Sequence, residues 1–217
     1  MTLSCAVSLV LVVATTVVVG QFTNSTVAST TTTTVSSTVS ATDGPIDVVL
    51  YIESRCPDSS RFIKNHLVPF YRQYPTVIRN LKVVPFGIAD CVRNPSTGNI
   101  NCTCQHHQAE CDMNQLMNCV MYYRPQPEHL PMLACIQGRT DILDAASHCI
   151  SFLSKGEQSE LIACAKGPQG AQLHYEAGKR TKQASVNWVP WIEINGKRYK
   201  EAEHIFHQEI CKRSSLC

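Results

Sequence analysis

Cysteine content constrains this chain more than any other feature of its sequence. Twelve cysteines occur among 217 residues, and Cys5 lies among the first twenty. Without that segment, twelve minus one leaves eleven: Cys56, Cys91, Cys102, Cys104, Cys111, Cys119, Cys135, Cys149, Cys164, Cys211 and Cys217. In an oxidising compartment most of these should form disulfides. An odd number leaves at least one sulfur free or bonded to another molecule, and the pairing cannot be deduced from the sequence.

The amino-terminal sequence predicts such a compartment. Residues 3–19 are apolar or small, and "VVG" before Gln21 is a small-residue cleavage site, so residues 1–20 are predicted to be a secretory signal peptide. Because no Lys or Arg precedes the apolar run, an uncleaved membrane anchor is the alternative. No later stretch approaches the length of a membrane span, so we expect none in the mature chain.

A Thr- and Ser-rich segment follows at residues 21–44. It has too few apolar side chains to fold, which predicts a disordered, glycosylated stalk. Asn24 and Asn101 each begin an N-glycosylation acceptor sequence. Secreted and lysosomal proteins share signal peptides and N-glycans. The stalk favours a secreted, extracellular protein, with the lysosome as the alternative.

The charge balance argues against one class of partner. A formal net charge of +2 is too small to indicate nucleic-acid binding. Lys and Arg do gather toward the carboxyl terminus, in "GKRTK", "GKRYK" and "CKRSS". This pattern is typical of solvated helix faces and a hairpin, with a site for sulfated glycans as the alternative.

The folded part is predicted to begin with a strand, a helix and a second strand. "IDVVLYIE" (residues 46–53) is an almost continuous apolar run, as expected of a buried strand. Pro57 suits the first turn of a helix, where its missing N–H costs nothing. "LKVVPFG" (residues 81–87) predicts the second strand, which completes a βαβ unit. Cys56 therefore lies between the end of a strand and the start of a helix.

The remaining segments complete an α/β fold. Short helical patterns separated by turns occupy about residues 88–186 and contain many of the cysteines, which predicts a disulfide-rich helical insertion. Asn195-Gly196 between two apolar runs predicts a hairpin, and a closing helix follows. This order resembles a thioredoxin-like domain with a helical insertion, spanning residues 45–217.

One motif inside the insertion resembles a family signature. "CQHHQAECDMNQLMNC" is similar to Cys-Gln-His-Gly-x2-Glu-Cys-x2-Asn-x4-Cys of the gamma-interferon-inducible lysosomal thiol reductase (GILT) family. The matching residues are Cys104, Gln105, His106, Glu110, Cys111, Asn114 and Cys119. "VPFG", "GPQGAQLHYEAGKRT", "VPWIEINGK" and the terminal C-x5-C also follow the family's order, so the chain is identified as a member over residues 46–217. His107 departs from the family's Gly, a residue that tolerates positive φ better.

The resemblance implies a thiol-disulfide active site at Cys56. In thioredoxin-like redox proteins the first Cys of Cys-x-x-Cys attacks a substrate disulfide as a thiolate, and the second Cys resolves the mixed disulfide. The helix amino terminus beside Cys56 favours thiolate, Arg55 and Arg61 act in the same direction, and Asp58 opposes them. Ser59 replaces the resolving Cys. Its hydroxyl can donate a hydrogen bond to Cys56 but cannot form a disulfide, so an external thiol would have to finish the reaction.

Cysteine parity and a proline motif bear on the same site. If the other ten cysteines pair, Cys56 is the odd sulfur, and the alternative is a bridged Cys56 with another residue free, such as Cys217. Val189, Pro190 and Trp191 resemble the family's cis-proline segment, whose backbone binds substrate as an added strand, so these three residues are predicted to form the substrate groove. Of Trp188 and Trp191, we expect one to lie in the core and the other in this groove.

Two other kinds of site are alternatives to a thiol-disulfide site. By residue type, Cys102, Cys104, His106, His107 and Cys111 are possible zinc ligands. The secreted, cysteine-dense context favours disulfides, so no metal and no cofactor are expected, and His106 is expected to have a structural hydrogen-bonding role rather than that of a proton shuttle. "RCPDS" lacks the cysteine context of papain-like proteases.

The sequence therefore predicts a secreted GILT-like protein with lost or strongly attenuated dithiol reductase activity. It would act by binding a disulfide-containing or cell-surface protein. One alternative is a monothiol disulfide reductase or isomerase that uses Cys56 with external glutathione or cysteine. Another is covalent retention of partners as mixed disulfides on Cys56.

Overall fold

The computed structural model of this chain describes residues 44–217. The predicted signal peptide, residues 21–43 of the predicted stalk and Asn24 therefore lie outside the described residues. The elements follow in the order β1 (Ile46–Ile52), α1 (Pro57–Phe62), a π-helical turn (Ile63–Leu67), α2 (Val68–Gln73), β2 (Ile78–Pro85), β3 (Asp90–Arg93), β4 (Ile100–Thr103), α3 (His107–Tyr123), α4 (His129–Ile136), α5 (Ile142–Cys149), α6 (Lys155–Lys166), α7 (Pro168–Gln183), β5 (Trp191–Ile194), β6 (Lys197–Arg198) and α8 (Ala202–Cys211).

The central sheet has the strand order β2-β1-β5-β6. β1 pairs in parallel with β2 and antiparallel with β5, so both of its edges are hydrogen-bonded. The apolar run of β1 accounts for this central position, since Ile46, Val48, Leu50 and Ile52 are all buried. The predicted strand–helix–strand unit is present, with α1, the π-helical turn and α2 connecting β1 to β2.

The predicted hairpin joins β5 to β6. Asn195 and Gly196 form its turn with φ angles of 50° and 76°, the positive values that a two-residue hairpin turn of this kind requires. α8 then packs against the helical connection, where the Phe206 ring meets Phe62 and Phe70 edge to face at centroid distances of 5.2 and 5.4 Å. These rings fix α1, and with it Cys56, on the sheet.

The insertion differs in one respect from the helical prediction for residues 88–186. It begins with an antiparallel hairpin, β3 and β4, before the five helices α3 to α7. The hairpin escaped prediction because its strands have four residues each and only Cys91 is buried. The Cys91–Cys102 disulfide joins the two strands at directly paired positions. Asn101 lies exposed on β4 beside this disulfide.

Five disulfides hold the described residues together: Cys91–Cys102, Cys104–Cys111, Cys119–Cys164, Cys135–Cys149 and Cys211–Cys217. Cys56 is the one free cysteine among residues 44–217, as expected from parity and position, and the alternative of a free Cys217 is wrong. None of the described helices is long and apolar enough to cross a membrane.

Candidate active site

Cys56 is the amino-terminal cap of α1. Its backbone is extended (φ −66°, ψ 123°), and Pro57 occupies the first helical position. The backbone N–H of Ser59 donates to Cys56 Sγ at 3.5 Å, in the place where an N-cap side chain normally accepts. The sulfur is nearly buried and the Cys56 S–H donates to Val189 O at 3.8 Å. The site thus presents a single free thiol to the positive end of a helix.

Ser59 contacts the sulfur differently from the prediction. Its side chain is fully buried, and its hydroxyl oxygen accepts from the Glu53 backbone N–H at 3.5 Å. The hydrogen bond to Cys56 Sγ comes from the Ser59 backbone instead. Any non-proline residue at position 59 has that N–H, so the stabilisation of a Cys56 thiolate by this donor does not depend on the serine hydroxyl.

The charges nearest to Cys56 on α1 pair with each other. Asp58 and Arg61 form an ion pair at 2.8 Å, with both side chains well exposed. The opposing influences predicted for them on the thiolate therefore largely cancel. What remains is the helix terminus with its N–H groups, together with Arg55, which directly precedes Cys56.

The proline segment lies where the family resemblance placed it. The Val189–Pro190 peptide is cis, and Val189 O contacts Cys56 Sγ. Trp191, however, does not join the groove. Its ring lies on β5 beneath the Arg198 guanidinium, which is 3.7 Å from the ring centroid. Trp188 occupies the groove instead, with 56% of its surface exposed.

Two cavities meet at Trp188. One, of about 390 Å³, is lined by Glu53, Cys56, Gln105, His106, Trp188 and Val189 among others. The other, of about 760 Å³, contains Arg61, His66, Trp188, Pro190, Arg198 and Lys200. Asp58 and Glu203 also line the larger cavity and pair with Arg61 and Arg198, so a peptide lying along the proline segment would have Cys56 and the signature residues on one side and a surface of mixed charge on the other.

The signature residues support the loop that precedes Cys56. Asn114 Oδ1 accepts from the buried Ser54 N–H at 2.9 Å, and Ser54 Oγ donates to the Glu110 carbonyl at 3.1 Å. The Cys104–Cys111 disulfide closes the first turns of α3, and Cys119 anchors the same helix to Cys164. α3 is thereby fixed against residues 53–55, which explains why a motif distant in sequence belongs to this active site.

A cluster of His106, Glu110 and Glu53 borders the cavity beside Cys56. Glu110 Oε1 accepts from the His106 N–H at 3.2 Å, and Glu110 Oε2 lies 2.6 Å from His106 Nδ1. Glu53 Oε2 lies 3.9 Å from the same nitrogen. Both carboxylates are buried, while 37% of the His106 side chain is exposed.

Glu53 was not singled out from the sequence. Its carboxylate accepts from the Ile88 N–H at 2.6 Å, and Gly87 passes so close that a Cβ there would lie 1.6 Å from Glu53 Cγ. Burial raises the pKa of Glu53, with the Glu110 charge adding to the effect, while the Ile88 N–H and His106 oppose it. The sequence feature that could have identified Glu53 is its position as an acidic residue at the end of the largely apolar run "IDVVLYIE".

The zinc alternative does not fit this arrangement. Cys102, Cys104 and Cys111 are all in disulfides, so their sulfurs are not thiolate ligands. Glu53, His106 and Glu110 are of metal-binding type, but their close atoms are already engaged in hydrogen bonds with one another and with Ile88 N–H.

Comparison with known proteins decides the family. Residues 47–153 match the family model described as gamma interferon inducible lysosomal thiol reductase (GILT). A GILT-like protein of Caenorhabditis briggsae is 36% identical over 173 residues, which cover 77% of this chain and 79% of that protein. This chain belongs to the GILT family. The gamma-interferon-inducible lysosomal thiol reductase of Carassius auratus is 30% identical and covers 70% of this chain and 61% of its own length.

Solved structures support the GILT-family fold. BdbD from Bacillus subtilis superposes with a TM-score of 0.56, covering 78% of this chain and 88% of its own, at 12% identity. DsbA of Chlamydia trachomatis gives a TM-score of 0.53, covering 76% and 85%, also at 12% identity. The domain is therefore thioredoxin-like with a helical insertion, as predicted.

The resemblance drawn from the sequence implies two departures from the family pattern. Ser59 stands where that resemblance implies the second cysteine of the redox motif, and His107 stands where it implies the signature glycine. His107 has a φ of 66°, so the chain does adopt a positive angle at this position. Histidine tolerates that region better than most side chains, and His107 points into solvent as an exposed residue. The signature loop keeps its turn without glycine.

Proposed function

We propose that this GILT-family chain captures disulfide-containing proteins as mixed disulfides on Cys56, with its dithiol reductase turnover lost or strongly attenuated. One observation carries the proposal. Cys56 is a free sulfur at a helix amino terminus, in contact with the backbone of the cis-proline segment, and the residue one helical turn away is Ser59. The groups for the first step, attack of the Cys56 sulfur on a substrate disulfide, are therefore available. The second step, internal attack on the mixed disulfide, would need a sulfur at position 59, where the chain has serine.

The chemistry follows from that asymmetry. The Cys56 thiolate attacks one sulfur of a substrate disulfide, which forms a mixed disulfide and releases the other substrate sulfur as a thiolate. In a dithiol enzyme the residue at position 59 would then attack Cys56 Sγ. Here a low-molecular-weight thiol, glutathione or cysteine, has to do so. Without one, the partner stays covalently bound; with one, the chain is a slow monothiol reductase or isomerase.

The groove supports a protein as the partner. Val189 presents backbone groups beside Cys56, to which an extended peptide can add as a strand. Trp188 offers a large exposed aromatic surface next to them. We propose secretion as the destination, with the lysosome as the alternative, since a relative in Carassius auratus is named as lysosomal. N-glycosylation at Asn24 and Asn101 belongs to the same proposal.

The test is capture of a denatured disulfide-bonded protein at pH 4.5 and 7, followed on non-reducing gels with and without glutathione or cysteine. We expect wild type to form an adduct that external thiol releases, and Cys56→Ser to form none. Ser59→Cys should turn over with less adduct, as a restored dithiol. If wild type forms no adduct at either pH while Ser59→Cys turns over, capture by Cys56 is wrong.

A second candidate function is non-covalent binding of a protein or cell surface through the same groove, favoured by the exposure of Trp188. It predicts complexes that survive Cys56→Ser and weaken in Trp188→Ala. Covalent capture predicts the reverse dependence on Cys56. The two variants together, measured with the same partner, separate the two functions.

A further inference from the structure

His106 and Cys56 border the same cavity from different parts of the fold. Cys56 caps α1, and His106 precedes α3, the helix that carries the family signature. The cavity of about 390 Å³ that both line also contains Trp188 and Val189, the residues of the substrate groove. A substrate disulfide that reaches Cys56 through this cavity therefore passes beside the imidazole.

Glu110 fixes which ring nitrogen can exchange protons. A carboxylate only accepts hydrogen bonds, so its contact of 2.6 Å places a proton on His106 Nδ1. A second hydrogen bond, from the His106 backbone N–H to the other Glu110 carboxylate oxygen, fixes the orientation of the carboxylate. Glu110 is fully buried, whereas the ring is partly exposed. The nitrogen left to gain and lose a proton is Nε2, which makes no hydrogen bond within residues 44–217.

Thiol-disulfide exchange needs such a group. A thiol of ordinary pKa is only about 0.03% ionised at pH 5. Each attack also expels a thiolate, and an aliphatic thiolate leaves faster when a neighbouring acid protonates it. Of the acidic residues that line the cavity, Glu53 is buried and already accepts from the Ile88 N–H, and Asp58 is paired with Arg61. His106, which also lines the cavity, is a titratable side chain that is partly exposed, and its Nε2 makes no hydrogen bond within residues 44–217.

We propose that His106, oriented by Glu110, accepts the proton of the attacking thiol and donates it to the departing thiolate in the exchange reactions at Cys56. The inference rests on the covalent capture proposed above. His106 takes the role of acid and base, and Glu110 is a positioning residue that acts through it. The signature motif thus has a chemical as well as a structural part in the site.

The protons and electrons balance in each step. His106 takes the Cys56 proton, and the thiolate attacks the substrate R–S–S–R′ to give Cys56–S–S–R and R′–S⁻. The imidazolium returns the proton to form R′–SH. An external thiol then loses its proton to His106 and attacks Cys56 Sγ, which releases R–SH. A second external thiol attacks the remaining mixed disulfide and restores Cys56. The net reaction reduces one substrate disulfide and oxidises two external thiols.

Several charged groups surround His106. Glu53 at the end of β1 and Glu110 on α3 flank Nδ1, so an imidazolium is balanced by two carboxylates. The exposed Asp58–Arg61 pair lies on α1, across the cavity, and contributes no net charge. His107 is the next residue but is exposed. It provides a matched control, since His107→Asn removes a neighbouring imidazole and asparagine tolerates the positive φ.

The test varies the leaving group. Rates of Cys56 reaction are measured by stopped flow from pH 4 to 8 with glutathione disulfide, which expels a basic aliphatic thiolate, and with an activated aromatic disulfide, which expels a thiolate that needs no proton. For His106→Asn we expect a fall of at least tenfold with glutathione disulfide, where both proton transfers are lost, and a smaller fall with the aromatic disulfide, where only acceptance of the Cys56 proton is lost. The pH profile should lose one ionisation. His107→Asn should behave as wild type.

Two further measurements keep structural effects separate. Imidazole added to His106→Ala should restore the rate with glutathione disulfide, because the cavity has room for it. Glu110→Gln should lower the rate in the same leaving-group-dependent way, with folding checked by circular dichroism. The inference is overturned if His106→Asn slows both disulfides equally or neither. If wild type reacts with neither disulfide, it is the capture function that is wrong, and the His106 role falls with it.

Discussion

Replacing Asn114 should show how much the signature contributes to the active-site loop. Asn114→Ala removes the acceptor of the Ser54 N–H, which is fully buried, and the donor to the Phe86 carbonyl at 3.4 Å. An unsatisfied buried N–H costs about 1–3 kcal/mol, and the lost second bond with the small void left by the side chain adds about 1 kcal/mol. We therefore expect a loss of about 2–4 kcal/mol in the free energy of unfolding. For a domain of this size that lowers Tm by about 4–16 °C.

The assay is thermal and urea unfolding beside a matched variant. Asn118→Ala, one turn along α3, removes only donors, to the Pro85 and Asn114 carbonyls at 2.9 and 2.8 Å. Carbonyls tolerate the loss of one partner better than an N–H does, so this variant should lose only about 1 kcal/mol. If Asn114→Ala is no less stable than Asn118→Ala, the reasoning from the buried Ser54 N–H is refuted.

Three further outcomes are expected. Burial lowers the pKa of His174 to about 4, so the free energy of unfolding should fall by about 3 kcal/mol as the pH drops from about 6.5 to about 4. His174→Gln should flatten that part of the curve of unfolding free energy against pH, and an unchanged slope would contradict this assignment. Gly178→Ala would place a Cβ 2.5 Å from the Phe86 ring and should cost about 1–3 kcal/mol in urea unfolding, whereas no loss would show that the ring moves freely. In millimolar glutathione, mass spectrometry of alkylated peptides should find the Cys211–Cys217 disulfide reduced first, because each of the other four described disulfides includes a buried cysteine. Earlier reduction of any of those four would count against the burial argument.

Much of the scaffold could be predicted because its signals are local. The apolar run of β1, the proline after Cys56 and Asn195-Gly196 each specify a backbone conformation through the residues themselves. The β3–β4 hairpin could not be predicted in this way. Its strands are short and exposed, and a disulfide between paired positions holds them, a partnership that sequence spacing does not reveal.

The candidate site was predicted in part for the same reason. Cys56 and Pro190 were found through motifs that describe their own backbone. The sequence predicts that one of Trp188 and Trp191 is covered and the other lies in the groove, and the assignment of Trp191 to the groove is wrong. Which ring is covered depends on pairing along β5 and on the position of Arg198, and neither can be read from the sequence. Glu53 was missed because its importance comes from contacts with Ile88 and the His106 region, which are distant in sequence.

The position of Ser59 separates activation of the thiol from resolution of its product. The groups that contact Cys56 Sγ are backbone groups, the Ser59 N–H and the Val189 carbonyl, and neither changes when the side chain at position 59 changes. A cysteine-to-serine difference there leaves the polarity of the helix terminus and the groove as they are. It removes one property alone, the second sulfur. This geometry is what supports the proposal that the chain forms a mixed disulfide and does not resolve it internally. On that proposal, the lifetime of the adduct depends on the supply of external thiol.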